Sequence, residues 1–133
     1  MRTSYALTAA FAEAEYATEN ARYYLKLDAY PGNHTYMYHV IHVIEATRAL
    51  RNVFLQLVIN LRETARMASA VKEEELKRTT ELHAKFIELC ERVLQYKSKM
   101  NGFKIEFESL ERRIKLINDP DIMKMPVEEI FKI

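Results

Sequence analysis

Residues 62–78 read RETARMASAVKEEELKR, and the fold turns on how they are interpreted. Apolar residues recur at helical spacing on both sides of this stretch. Before it, Val40, Val43, Leu50, Phe54, Leu57 and Leu61 share one stripe; after it, Thr79, Leu82, Phe86, Leu89, Val93, Tyr96 and Met100 share another. No Gly or Pro intervenes. Steps of seven from Val40 land on Leu61, Ala68, Glu75, Leu82, Leu89 and Tyr96, so the seam almost continues. A single helix over 35–100 would be a rod of roughly 100 Å. Only an oligomeric coiled coil or an exchanged partner could cover it. A hairpin near Met67–Val71, with Ser69 as helix cap, gives a compact bundle instead. The hairpin is the preferred reading, because helices in globular domains average only about 11–12 residues.

Working outward, the first helix is expected over about 3–28, with Leu7, Phe11, Ala14, Thr18, Ala21 and Leu25 on its inner stripe. Tyr30-Pro31-Gly32-Asn33 breaks it, and Asn33 or Thr35 can cap the next helix. The second helix is expected over 35–66 and the third over 69–99. Asn101-Gly102 supplies a left-handed stop. The fourth runs over 103–118 on Phe103, Phe107, Leu110, Ile114 and Ile117 and ends at Asp119-Pro120-Asp121. Pro126 to Phe131 allows one more turn of helix, with Pro in the first turn. The expectation is an all-α antiparallel bundle of four main helices. It forms one domain over 1–119 with a C-terminal tail over 120–133, and self-association is an open option.

Composition narrows the alternatives. The 133 residues suit one domain that buries about two thirds of its unfolded surface. Two Gly and three Pro are too few for strands joined by tight turns. No glycine-rich phosphate loop is present, which removes the mononucleotide-binding α/β folds. A lone Cys90 rules out an internal disulfide and any zinc site built on two or four Cys, and it suits a reducing, cytoplasmic setting. No apolar run approaches the ~18 residues of a membrane span. Residues 1–12 carry Arg2 and no acid, as a targeting peptide does, but Glu13, Glu15 and Glu19 continue the same helical pattern. The net charge of +1 is spread evenly, so bulk attraction to nucleic acid or anionic lipid is not expected.

Four constellations carry candidate chemistry. Arg78 and His83 sit five apart in Arg78-Thr79-Thr80-Glu81-Leu82-His83. This spacing resembles the Arg-x4-6-His signature of HEPN-type helical ribonucleases, whose fold is an all-α bundle of similar size. The resemblance covers these two residues, and it implies a ribonuclease using Arg78 and His83. Thr79 stands where that family commonly has Asn, Asp or His. A histidine at the edge of the apolar stripe accounts for the same pattern without catalysis. His39-x-x-His42-x-x-Glu45 has metal-competent side chains, but three-residue steps swing the first and last about 120° apart. Solvated positions beside the turn are expected there, with no metal and no cofactor.

The third constellation is the second helix itself. Arg48, Arg51, Arg62 and Arg66 project within roughly 60° of one another, in a sector shared with Met37, Ile41, Ile44, Leu55 and Ile59. This sector is distinct from the core stripe, so the helix has two apolar faces. Such a helix is central in its bundle or meets a partner. Pairing of the arginines with Glu13, Glu15 and Glu19 is the simplest expectation. The fourth is tyrosine placement: seven of eight lie in the first 38 residues, and one stripe cannot bury them all. Adjacent Tyr23 and Tyr24 point about 100° apart. With Tyr30, Tyr36 and Tyr38 they can form a recognition surface, since tyrosine offers large apolar area with a polar tip. Glu73-Glu74-Glu75 reads as a solvated helix face.

The functional expectation is a non-enzymatic interaction module that self-associates or binds a protein partner. It would use Tyr23, Tyr24, Tyr30, Tyr36 and Tyr38 together with Arg48, Arg51, Leu55, Ile59, Arg62 and Arg66. The alternative is a nucleotide or nucleic acid held through its phosphates by the arginine-lined face, with bidentate guanidinium forks and stacking tyrosines. No membrane role is expected.

Overall fold

A computed structural model describes residues 5–27 and 32–133. Among them the chain is all helical, without a strand. Four long helices, α1 (Tyr5–Lys26), α2 (His34–Ala65), α3 (Ser69–Leu94) and α4 (Lys104–Ile117), are followed by the short α5 (Val127–Phe131). Single 3-10 turns occupy Lys97–Lys99 and Pro120–Lys124.

The decisive stretch breaks without Gly or Pro. The Arg66 and Met67 amides donate to the Glu63 and Thr64 carbonyls, each at 3.1 Å, and so tighten the last turn of α2. Ala68 is then extended, with ψ 148°, and it precedes α3 with no side-chain cap. The continuous rod over 35–100 is thereby overturned. Ser69, expected as the cap, is instead the first helical residue. At the other end of α2 the cap is as read, with Asn33 Oδ1 accepting from the Thr35 amide at 2.7 Å.

Three side-chain meetings relate α2 to α3 and the turn that follows it. Asn60 Oδ1 accepts from the Thr79 hydroxyl at 3.4 Å, Phe54 and Phe86 lie 6.2 Å apart, and His39 meets the Tyr96 ring edge-on at 4.8 Å. α1 has its most extensive contacts with α2. Its inner stripe carries Ala10, Ala14, Ala17 and Ala21, all buried, and Ala46 of α2 is buried too. Short side chains let the two backbones approach. α4 lies against both α2 and α3.

The third helix ends earlier than its stripe implied. α3 stops at Leu94, and Tyr96 and Met100 stay buried through the 3-10 turn that follows. Gly102, with φ +96°, then makes the left-handed turn expected of Asn101-Gly102. Residues 120–133 are more than an appendage. Ile122, Ile130 and Ile133 belong to the same buried cluster as Leu50, Phe54 and Leu110. Among the described residues, no helix is long and apolar enough to cross a membrane.

Candidate functional site

Two surfaces of α2 hold most of the residues singled out in the sequence. The first is aromatic. Tyr24, near the end of α1, stacks face to face on His42 of α2, with ring centres 5.2 Å apart and planes within 4°. Tyr38 lies 5.3 Å from Tyr24 on one side, and Tyr23 meets it edge-on at the same distance. His42 Nδ1 donates to Glu45 at 3.0 Å, which fixes the imidazole plane that Tyr24 covers. The outer members remain in water: Tyr23 is 57% and Tyr38 52% exposed. Tyr36 turns elsewhere, and its hydroxyl donates to the Lys99 carbonyl at 3.3 Å. Tyr30 lies outside the described residues.

The second surface carries the arginines, and the expected pairing with α1 is not what forms. Glu15 pairs with Lys85 at 2.5 Å, and Glu19 pairs with Arg22 and Arg92. These contacts hold Glu19 below the usual carboxylate range, with Arg92 the largest cause. Arg51 Nη2 instead donates to the Phe131 carbonyl at 2.5 Å. Arg62 donates to the carbonyls of Ile122 and Met125. Arg113 of α4 does likewise, through Nε at 3.1 Å and Nη2 at 2.6 Å to the main-chain oxygen of Ile133. So three guanidinium groups clamp residues 120–133 by their backbone. Arg48 and Arg66 are exposed. Leu55 is half-buried, whereas Ile59 stays 44% exposed.

Arg113 was not singled out in the sequence. Its signal is its place on the apolar stripe of α4, three residues from Leu110 and four from Ile117. It is only 5% exposed, and burial, with Arg51 nearby, brings its pKa down to about 10.

Arg78 and His83 are not brought together. Arg78 lines a groove with Phe11, Glu15 and Lys85 on the α1 side of α3. His83 is buried, with Nε2 lacking any hydrogen-bond partner. Desolvation lowers its pKa against a smaller opposing pull from the Asn118 side chain. Five residues of helix turn the two side chains about 140° apart.

His39 is buried rather than solvated, and its Nδ1 donates to the Ala21 carbonyl at 2.6 Å. Desolvation lowers its pKa too, helped by Lys99 and opposed by that hydrogen bond. Glu75 likewise leaves the expected solvated face and is buried. Cys90 is buried, and its thiol is pushed up to about 12, which keeps it unreactive. Among the described residues, no three His, Cys, Asp or Glu side chains gather into a metal-holding group. No protein family, curated protein or solved structure matches this chain.

Proposed function

We propose that this chain is a non-catalytic interaction module of the cytoplasm, built as an antiparallel bundle of its four long helices. The opposite order of the Asn60–Thr79, Phe54–Phe86 and His39–Tyr96 meetings supports the antiparallel reading. The module engages a second copy or another protein through Tyr23, Tyr24 and Tyr38, with Ile59 and Leu55 on the second face of α2 as a further contact. One observation carries this reading: the pre-stacked cluster of three tyrosines on His42 keeps large apolar area in water. Rings already packed on one another lose little side-chain freedom on binding, which favours association. Aromatic groups of this kind anchor protein interfaces.

Sedimentation velocity at micromolar concentration tests the reading. The expected mass exceeds the 15.7 kDa of one copy, and Tyr24→Ala with Tyr38→Ala returns it to one copy. A single-copy mass at every concentration would remove self-association. Association unchanged by the double substitution would move the interface off the tyrosines.

A further inference from the structure

Between α2 and α4 a cavity of about 120 Å³ opens to solvent, lined by Arg48, Arg51 and Arg113. Ser109, Thr47 and Glu106 complete its polar lining. Among the described residues, none of the three arginines has an Asp or Glu carboxylate within ion-pair distance. Arg51 donates to the Phe131 carbonyl, and Arg113 donates to the main-chain oxygen of Ile133. Each guanidinium has five N–H groups, so both retain donors beyond those bonds. Like charges lining one cavity, one of them almost wholly buried, repel one another, and an anion between them relieves that repulsion.

We propose that this cavity is a binding site for a phosphoryl group. The charge matches in sign: three guanidiniums line the cavity against one side-chain carboxylate, Glu106, and a phosphate monoester carries about −1.5 to −2 at pH 7. The size matches as well. At roughly 30 Å³ per water, the space holds about four waters, enough for one tetrahedral oxyanion with its residual hydration. Ser109 supplies a hydroxyl donor at the α4 wall. The Thr47 hydroxyl is already committed to the Ile44 carbonyl at 2.7 Å and can only accept. The bound group is therefore held by arginine forks and one serine. The site is independent of the tyrosine surface and differs from a phosphate stripe along α2 alone, because it takes its most buried cation from α4.

The test titrates inorganic phosphate, methyl phosphate and acetate into the full chain at constant low ionic strength, following the arginine Nε–H resonances. Phosphate is expected to saturate and to shift Arg48, Arg51 and Arg113. Acetate should bind at least about tenfold more weakly, since it carries one charge and two acceptor oxygens where phosphate offers three. Arg48→Ala should weaken phosphate about tenfold, the loss of one charge-assisted contact. Glu106→Gln should tighten it several-fold. Methyl phosphate binding as well as phosphate assigns the group to an ester of a larger molecule; phosphate alone assigns it to the free ion. Arg113→Gln can unfold the 120–133 segment, so Arg48 and Glu106, neither of them buried, carry the test. Absence of saturable phosphate binding, acetate binding as tight as phosphate, or indifference to Arg48→Ala would each overturn the proposal.

Discussion

The two sides of α2 use the same residue types and are closed by different means. On one side Val43, Ala46, Leu50, Val53, Phe54 and Leu57 are completely buried. Closure there is by whole helices, with Phe54 packed towards Phe86 of α3. On the other side Leu55 is half-covered and Ile59 remains wet. Closure there is by the short stretch of 3-10 turn and α5 that contributes Ile122, Ile130 and Ile133 and is held by hydrogen bonds from arginines to its main-chain oxygens. The first side rests on area removed from water. The second rests on a few directional bonds, each worth little net.

The largest effect is therefore expected on the first side. Phe54→Ala should cost about 3–5 kcal/mol, read as a lower midpoint in urea unfolding. That is a large part of the 5–15 kcal/mol typical of a domain. A cost near 1 kcal/mol would mean that the first side is no better packed than the second.

Much of that side was legible beforehand. Leu50, Phe54 and Leu57 on α2 and Phe86, Leu89 and Val93 on α3 are spaced by the helical repeat, and burial follows the repeat. The second side was not legible, for two physical reasons. Arg48, Arg51, Arg62 and Arg66 share a sector in angle, but Arg51 and Arg62 are about 16 Å apart along the axis, so they form no single cluster. Their acceptors are also backbone carbonyls, which every residue has and no sequence pattern marks. The Tyr24–His42 stack was half legible. The excess of tyrosines was plain, but which ring meets which depends on how α1 lies on α2.

A middle-sized effect belongs to the clamp. Arg62→Ala should cost about 1–2 kcal/mol, through carbonyls of Ile122 and Met125 left with one partner fewer. Urea unfolding again gives the number. A value indistinguishable from zero would mean that the isoleucines alone hold the segment.

The smallest effect is in pH, and it sharpens the contrast from within the core. His39 and His83 have lowered pKa values when folded, while the unfolded chain titrates near 6.5. Below that pH the unfolded state binds more protons than the folded one. Stability should be flat above about 6.5 and should decline as the pH falls further. His83→Gln should flatten part of that decline. Stability that rises on acidification to pH 5.5 would contradict the burial of both rings as neutral groups.

Native-state hydrogen exchange tests the difference between the two sides most directly. The account predicts that amides of 43–58 in α2 exchange only through global unfolding, while those of 122–133 exchange together by a cheaper opening. It further predicts that Arg51→Ala with Arg62→Ala speeds exchange in 122–133 well beyond any common shift in global stability. Equal protection of both segments, responding equally to the double substitution, would contradict the account.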